Sequence, residues 1–362
     1  MMQIQRIGLA TPGPPIPQAG LLELALRHNA TNQAERRRLE RVYHRSKVGQ
    51  RHSVLGVAAQ DGAEALRRVL SFYQHDHPEG PGTEERMRVY EAHAAELSRE
   101  ACGAALSSCG TDPESITQLI TVSCTGFIAP GLDASLIRSL GLSATVGRTH
   151  IGFMGCHAAL NALRVADAFV RADPEQSVLL CCTELCTLHF QYGSDPQDAV
   201  ANALFADGAA ALVGTSHGSS GSLPYTHAFH AENLPGTRDM MSWRIADHGF
   251  QMRLDPGVPQ IIESRLKASI TAWLAKHGLT VDGIAAWAIH AGGPKIIDAV
   301  QNALGLPDDA TRFSRLVLAE YGNMSSPTVL YILDALRRNE TPPPWVVLGF
   351  GPGLAIEAAL LR

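Results

Sequence analysis

Length, composition and charge narrow the classes of protein to which this chain can belong. The chain has 362 residues, of which 45% are hydrophobic and 18% charged, a composition that supports a large core and excludes extensive disorder. Lys and Arg total 30 against 35 Asp and Glu, a formal net charge of −5, so the charge does not favour nucleic acid as a partner. Aromatic residues make up only 6%, whereas glycines number 33 and prolines 21. This composition favours an α/β enzyme with tight turns between strands and helices.

The chain lacks the sequence features of export and of membrane insertion. No apolar run approaches the ~20 residues that a membrane span requires. The segment Met1 to Arg6 contains no long apolar stretch followed by a cleavage site, so we expect no signal peptide and a cytoplasmic location. The seven cysteines show no spacing typical of a small disulfide framework, and reduced thiols are therefore expected.

The predicted elements of the first half alternate between helices and strands. The first 50 or so residues are polar and helical in pattern, and residues 35–51 carry seven Lys or Arg against two Glu. A long amphipathic helix is predicted at 83–108, with Thr83 as its N-cap. A strand at 118–123, a helix after Gly155 and Cys156, and a buried strand at 177–182 follow. The Ser- and Gly-rich stretch 215–222 is the predicted linker.

The second half repeats this order of elements. It contains a predicted helix at 259–277, a strand at 284–289, a helix after Asn323 and a strand at 345–348. Matching landmarks are separated by 166 residues (Cys124 to His290), 167 residues (Cys156 to Asn323) and 168 residues (Val178 to Val346). This nearly constant offset indicates an internal duplication. We therefore predict a layered α/β fold with two pseudo-symmetric halves, residues 1–215 and 222–362, whose strand ends meet at one central site.

Three residues at that centre are candidates for catalysis. Cys156 follows Gly155 at a predicted turn into a helix, and a helix N-terminus stabilises thiolate, so we expect the thiol pKa to fall. A buried, inert cysteine is the alternative. His290 ends an apolar strand before a Gly-Gly-Pro turn, where a core histidine is the alternative. Asn323 precedes a helix and could serve only as its N-cap.

A Cys, a His and an Asn placed side by side can act together on thioester substrates. A thiolate attacks a thioester and holds the acyl group covalently. A protonated imidazole stabilises that thiolate, and His and Asn then donate hydrogen bonds to a thioester oxygen on which enolate charge develops. Decarboxylation of a malonyl group needs such donors, whereas a hydrolase needs a general base and an activated water.

Several short motifs occur in a fixed order along nearly the whole chain, from about Arg38 to the C-terminus. They are Thr125-Gly126 with Ala129-Pro130-Gly131, Gly155-Cys156, Ala203-Leu204-Phe205-Ala206-Asp207-Gly208, His290-Ala291-Gly292-Gly293-Pro294, Tyr321-Gly322-Asn323-Met324-Ser325-Ser326 and Gly349-Phe350-Gly351-Pro352-Gly353. In order and spacing the sequence resembles the chalcone synthase-like type III polyketide synthases of the thiolase superfamily.

The resemblance implies an activity, a fold and a set of substrates. It implies a thiolase-like layered αβαβα fold and a homodimer that requires no cofactor, no metal and no acyl-carrier protein. Cys156 would be the nucleophile, and His290 and Asn323 would catalyse decarboxylation and condensation. The implied substrates are malonyl-CoA and an acyl-CoA starter, and the implied products are cyclised polyketides of α-pyrone, alkylresorcinol or phloroglucinol type.

The resemblance also assigns residues around the reaction centre. Phe205 and Met252 match two gates between the CoA tunnel and the cavity, although plant members usually carry Phe at the second. The loop with Gly351 and Pro352 would shape the cyclisation cavity. The implied cavity lining further includes Cys124, His189, Trp243 and Ser325. The implied CoA-binding residues are Arg38, Arg41 and Arg45, whose spacing places them on one helix face suited to phosphates; a solvated charged face is the alternative.

Two of these positions depart from plant members and bear on the starter. Trp243 stands where plant enzymes usually carry Gly, and His189 where they often carry Thr. Because packed interiors do not absorb a large side chain freely, we expect a bulky aryl starter to fit poorly. A flexible Met252 and a small Cys124 leave a narrow channel for a linear acyl chain. The expected starter is aliphatic or small, and the expected product is short, an α-pyrone or alkylresorcinol.

Other interpretations of the sequence remain open. A β-ketoacyl synthase that initiates fatty-acid synthesis shares the Cys, His and Asn, and a noncatalytic acyl-binding protein of thiolase fold is a rival from another class. A metal site at Cys181, Cys182 and Cys186 is not expected, because neighbouring strand residues point to opposite faces and no second pair exists. The polar loop with His75, Asp76 and His77 is expected to be solvated rather than a ligand set.

Overall fold

The computed structural model describes residues 1–218 and 221–362. The predicted linker at 215–222 therefore includes two residues, 219 and 220, that lie outside the described residues. The strands are β1 (Gln3–Ala10), β2 (Ile16–Pro17), β3 (Gln50–Arg51), β4 (Gln118–Ser123), β5 (Gly147–Gly152), β6 (Val178–Leu185), β7 (Asp207–Thr215), β8 (Thr226–Asn233), β9 (Met241–Ala246), β10 (Gly249–Leu254), β11 (Ala286–Ile289), β12 (Trp345–Gly351) and β13 (Ala355–Leu361). The α-helices are α1 (Gln18–Asn29), α2 (Gln33–Arg45), α3 (Gly62–Phe72), α4 (Thr83–Cys109), α5 (Leu132–Leu140), α6 (Ala158–Ala172), α7 (Pro196–Leu204), α8 (Val258–Ala275), α9 (Pro294–Leu304), α10 (Arg312–Tyr321) and α11 (Thr328–Arg338).

Two sheets with matching strand order confirm the predicted duplication. The first sheet has the order β1-β7-β6-β4-β5, and the second has the order β8-β13-β12-β11. In each, the first two pairings are antiparallel and the third is parallel: β1 to β7, β7 to β6 and β6 to β4 correspond to β8 to β13, β13 to β12 and β12 to β11. The division into domains at 215 and 222 itself stays a prediction.

Helices cover both faces of both sheets, which gives five layers. Helices α6 and α11 lie between the sheets, and Leu163 and Leu333 share one buried cluster with Ile120 of β4 and Val347 of β12. Helix α4 packs on the opposite face of the first sheet, while α8 and α9 cover the opposite face of the second. Neighbouring strand residues therefore contribute to different cores, as expected from the period of two. The layered αβαβα arrangement expected from the sequence is confirmed.

Two local predictions from the sequence were wrong: the helix expected over residues 3–10, and Thr83 as the N-cap of the long helix. Residues 3–10 form β1 rather than a helix, and most of this strand is buried where it pairs with β7. Helix α4 begins at Thr83, but its N-cap is Gly82. The Thr83 side chain is instead occupied with the turn after β9: its hydroxyl donates to the carbonyl of Ala246 and accepts the amide of Gly249. Among the described residues, no helix combines the length and the apolarity needed to cross a bilayer.

Candidate active site

The candidate nucleophile lies on a tight turn between β5 and α6. Cys156 occupies a short 3-10 turn, Gly155–His157, that leads directly into α6. Gly155 has φ +72°, and a Cβ there would lie 2.6 Å from the ring of Pro352, so only glycine fits this turn without strain. The turn and the following helix predicted from the sequence are both present, and the thiol is 8% exposed.

The electrostatics of the Cys156 thiol differ from the sequence-based expectation. Its pKa is raised to about 11, chiefly by burial and in smaller part by the charge of Glu184. Hydrogen bonding to the side chains of Ser325 and Asn323 lowers the pKa, but not enough to offset burial. The expected fall in pKa was therefore wrong for this conformation, because desolvation of the thiolate outweighs the helix N-terminus.

Asn323 is held beside the thiol by backbone contacts on both sides. Its amide donates to the carbonyl of Leu204 at 2.8 Å, and its carbonyl accepts the amide of Ala206 at 2.9 Å. The side-chain Oδ1 accepts the amide of Ser325 at 2.8 Å, which fixes the orientation of the carboxamide. Helix α11 begins five residues later with Pro327 as N-cap, so the alternative interpretation as a helix cap was wrong.

His290 follows β11 directly and is almost completely buried. Its backbone amide donates to the carbonyl of Leu348 at 2.7 Å, but within the described parts of the chain neither ring nitrogen has a hydrogen-bond partner. Burial lowers its pKa to about 3, with a smaller contribution from the neighbouring His157, so the imidazole is neutral. An unpartnered buried polar group costs about 1–3 kcal/mol and is typical of sites that keep the group for a ligand.

Two adjoining cavities lead to the thiol. The inner one, of about 20 Å³, is lined among others by Cys124, Cys156, Ser325 and Pro352. The outer one, of about 40 Å³, extends toward α1, α2 and α7. Four side chains line both cavities and therefore separate them: Cys186, Phe205, Trp243 and Met252. Phe205 and Met252 thus lie at the boundary where gates were expected.

Trp243 is a fixed wall of both cavities. Its Nε1 donates to the carbonyl of Cys124 at 2.8 Å, and its ring meets His189 and Phe250 edge-on, with centroids 5.3 and 5.9 Å apart. His189 lines the outer cavity only: Nε2 donates to the carbonyl of Thr125 at 2.7 Å and Nδ1 accepts the amide of Phe250 at 2.9 Å. Burial lowers the pKa of His189 to about 3, so the ring is neutral. It packs against Trp243 and holds that side chain in place.

Comparison with known proteins places the chain in a family. Models of the chalcone and stilbene synthases match both halves, the N-terminal domain over residues 2–217 and the C-terminal domain over residues 226–362. The chain belongs to this family. It is a type III polyketide synthase, an acyltransferase of thiolase-like fold.

Two relatives of this synthase align over most of both chains. It is 38% identical to 1,3,6,8-tetrahydroxynaphthalene synthase of Streptomyces peucetius subsp. caesius over 272 residues, 74% of this chain and 72% of the other. It is 32% identical to the α-pyrone synthesis polyketide synthase-like Pks18 of Mycobacterium tuberculosis over 335 residues, 90% of this chain and 82% of the other.

Two further comparisons cover nearly the whole chain. Identity to the probable polyketide synthase 1 of Dictyostelium discoideum is 30% over 365 residues; the alignment covers 98% of this chain but 11% of that much longer protein. The crystal structure of PKS-I from the brown alga Ectocarpus siliculosus superposes with a TM-score of 0.90 at 32% identity, covering 100% and 98% of the two chains.

Some residues expected in the site of this synthase lie outside both cavities. Gly351 is buried and lines neither; a Cβ there would lie 2.3 Å from the His157 ring, so glycine lets its loop approach the nucleophile turn. The three arginines expected to bind CoA also line neither cavity. Arg38 is half-buried and donates to the carbonyl of Ser194 at 2.6 Å, whereas Arg41 and Arg45 are exposed.

Glu184 is a buried acid of the synthase that the sequence analysis missed. Its carboxylate accepts the amide of Cys124 at 2.9 Å and the hydroxyls of Thr125 at 2.8 Å and Ser326 at 2.7 Å. Glu184 therefore joins Cys124 and Thr125, which follow β4, to Ser326, which lies three residues after Asn323. Burial raises its pKa to about 7, although the three donors act in the opposite direction. The available signal was a single charged residue within the otherwise apolar strand β6.

Proposed function

We propose that this synthase loads an acyl-CoA starter on Cys156, decarboxylates malonyl-CoA, extends the chain by Claisen condensation and releases a cyclised polyketide. The observation that carries the proposal is the buried, neutral imidazole of His290, which has no hydrogen-bond partner among the described residues, together with the oriented carboxamide of Asn323. A neutral imidazole and a carboxamide can each donate a hydrogen bond without a counter-charge, which suits an oxygen that becomes negative only during the reaction.

The loading step requires removal of the thiol proton. In the proposed mechanism the lone pair of the His290 imidazole accepts the proton of Cys156 as sulfur attacks the starter carbonyl. The bond from that carbonyl to the CoA sulfur breaks, and the CoA thiolate leaves with the proton. The product is an acyl group on Cys156 and a neutral His290.

The extension step uses the same residues as donors. His290 and Asn323 hold the malonyl thioester oxygen while the carboxylate leaves as CO₂ and the electron pair moves onto that oxygen. The resulting enolate carbon attacks the acyl carbon on Cys156, and the thiolate leaves as the new carbon–carbon bond forms. Because both donors are held in a site that excludes water, their hydrogen bonds to the developing charge are stronger than in solution.

The size of the inner cavity supports a small or linear starter. Its volume of about 20 Å³ admits little more than one water molecule, so the walls must move for any acyl chain. Trp243 is fixed by its hydrogen bond and ring contacts, whereas Met252 is unbranched and flexible. We therefore propose an aliphatic or small acyl-CoA starter and a short α-pyrone or alkylresorcinol product. The Mycobacterium tuberculosis relative, named for α-pyrone synthesis, supports this assignment.

Arg38, Arg41 and Arg45 are proposed to bind the phosphates of CoA. They lie on α2, whose Tyr43 lines the outer cavity, and guanidinium groups bind phosphate through paired hydrogen bonds. Replacing Arg41 or Arg45 with Ala should raise the KM for the CoA substrates with little change in kcat. An unchanged KM in both variants would indicate a solvated charged face instead.

A homodimer is proposed through the edge of the first sheet. Strand β5 is the terminal strand of that sheet, and large apolar side chains next to it are exposed: Phe127, Phe153 and Met154. Exposed apolar side chains at an open edge mark an association surface. Light scattering should give twice the mass of the chain, and Phe153→Asp should shift the protein toward monomer.

The central experiment measures products and acyl-enzyme together. The protein is incubated with malonyl-CoA and a panel of acyl-CoA starters, and both are identified by mass spectrometry. Cys156→Ala should abolish the acyl-enzyme and the product, whereas Cys109→Ala, a half-buried thiol at the end of α4, should retain both. Product formation by Cys156→Ala would refute the assignment. Efficient extension from malonyl-carrier protein but not from malonyl-CoA would refute the proposed extender substrate.

A further inference from the structure

The loop between α3 and α4 meets the turn of the β9–β10 hairpin at the protein surface. One ligand atom from each of three side chains, His77, Glu79 and His248, lies within 4.8 Å of the other two. We propose that these residues form a binding site for a divalent transition-metal ion of the Zn²⁺ class, which joins the loop to the hairpin. The sequence alone indicated a solvated loop here, because His77 lies in a polar stretch with Pro78 and Gly80. It gave no sign of His248, which is 171 positions from His77.

The donor set has the chemistry of a zinc site. Two imidazoles and one carboxylate with a water in the fourth position are a common tetrahedral set. Metal-ligand bonds of about 2.1 Å require tetrahedral donor atoms to lie about 3.4 Å apart. His248 Nε2 and Glu79 Oε2 are already separated by 3.4 Å. His77 and Glu79 are exposed, so their side chains can close the remaining distance without disturbing a core.

His248 is already oriented as a ligand. Its Nδ1 lies 3.0 Å from the carbonyl of Gly80, and because a carbonyl only accepts, Nδ1 carries the proton. In the neutral ring the lone pair is then on Nε2, the atom that lies 3.4 Å from Glu79 Oε2. A backbone carbonyl that fixes the tautomer in this way is the usual outer partner of a metal-bound histidine. The ring also stacks on His77, with centroids 4.3 Å apart and ring planes inclined by 21°, so the His77 ring must turn out of this stack to direct a lone pair at the same ion.

The two segments are held together by contacts that do not involve the proposed ligands. The amide of Thr83 donates to the carbonyl of Asp247 at 2.8 Å, and the Thr83 hydroxyl accepts the amide of Gly249 at 2.8 Å. On the loop side, the fully buried Arg86 of α4 holds the end of the loop by donating to the carbonyl of Pro81 at 2.9 Å. Because the backbone is already positioned, metal binding orders only side chains, which favours affinity.

The site has a consequence for the reaction cavities. The hairpin turned by His248 carries Trp243 on β9 and Met252 on β10, and both side chains separate the two cavities. A metal ion that joins the turn to the loop restricts motion of this hairpin. Metal binding itself does not depend on the proposed function, whereas its effect on starter range does.

Direct binding provides the test. Zn²⁺ is titrated calorimetrically into the full chain carrying Cys156→Ala, so that the nucleophile cannot act as a ligand. One ion should bind per chain and raise the Tm. His77→Ala, Glu79→Gln and His248→Ala, each added to that background, should weaken binding at least tenfold. His44→Ala, which removes an exposed histidine of α2, is the matched control and should bind like the background.

A second readout separates the site from adventitious binding. Co²⁺ in place of Zn²⁺ should give the intense visible absorption of tetrahedral coordination, and His248→Ala should lose it. Unchanged Zn²⁺ affinity in His248→Ala and Glu79→Gln, with both variants folded by circular dichroism, would overturn the proposal. Equal losses in His44→Ala would do the same, since they would assign the binding to surface histidines in general.

Discussion

Replacing Trp243 with Gly should widen the range of starters that the synthase accepts. The indole contributes one hydrogen bond to the carbonyl of Cys124 and edge-on contacts with His189 and Phe250. At about 1 kcal/mol for the hydrogen bond and 0.5–1.5 kcal/mol for each ring pair, its removal should cost about 2–4 kcal/mol of the free energy of unfolding. The chain should therefore remain folded, with a lower Tm.

The gain in cavity size sets the expected change in selectivity. Because Trp243 lines both cavities, its removal joins them beside Met252 and enlarges a space of about 20 Å³. One methylene of misfit in a binding pocket changes kcat/KM by about 10–200-fold. We expect the ratio of kcat/KM for p-coumaroyl-CoA to that for a linear acyl-CoA to rise by about 10–100-fold.

The assay is competition between p-coumaroyl-CoA and a series of linear acyl-CoAs at equal concentrations, with products resolved by mass spectrometry. Ile245→Ala serves as the control, because Ile245 lies two residues further along β9 and is 63% exposed. Its product profile should match that of the unmodified enzyme. Preference of the unmodified enzyme for the aryl starter, or an unchanged profile in Trp243→Gly, would refute the reasoning from cavity size.

Three further changes test the site. Asn323→Ala should lower malonyl-CoA decarboxylation by about 10²–10³ and starter loading much less; equal losses would indicate structural damage. The Glu184 pKa, raised by burial to about 7 from an ordinary 4.5, should make stability fall by about 3 kcal/mol as pH rises from 4.5 through 7. Glu184→Gln should reduce this dependence of stability on pH, measured by urea unfolding at a series of pH values. An equal pH dependence in the variant and the unmodified protein would refute the prediction. Gly351→Ala should lower kcat because its Cβ meets the His157 ring; Gly103→Ala, on α4 with nothing within 4 Å of the added Cβ, is the control.

The layered fold could be predicted because both halves repeat one pattern of apolar strands. Leu119, Ile120 and Val122 of β4 serve two different cores, so a short run that is apolar throughout marks a strand covered on both faces. β1 was missed because Gln3–Ala10 mixes polar residues and glycine with only a few apolar ones. Its identity as a strand comes from pairing with β7, more than 190 residues away, which no local pattern contains.

The sequence identifies residues of the candidate site, but it does not predict the contacts that hold them in place. Asn323 was found from the duplicated framework, yet its backbone is held in place by Leu204 and Ala206, far away in the sequence. Glu184 was missed because a lone acid in an apolar strand has no local partner; its three donors come from segments about 60 and 142 residues away. Long-range hydrogen bonds of this kind leave no periodic signal.

Burial of Cys156 and His290 favours the extension step of the proposed reaction and makes removal of the thiol proton the costly part of loading. The sequence suggested a thiolate held by a charged imidazole, but desolvation disfavours both charges and leaves a thiol with a pKa of about 11 and an imidazole with a pKa of about 3. A neutral imidazole retains a lone pair for the thiol proton and an N–H for the malonyl oxygen. The low dielectric that raises the thiol pKa also strengthens every hydrogen bond to a developing enolate. A thiolate and imidazolium that are charged in the resting enzyme would be stabilised mainly before the reaction. Only stabilisation that is greater in the transition state than in the ground state accelerates catalysis.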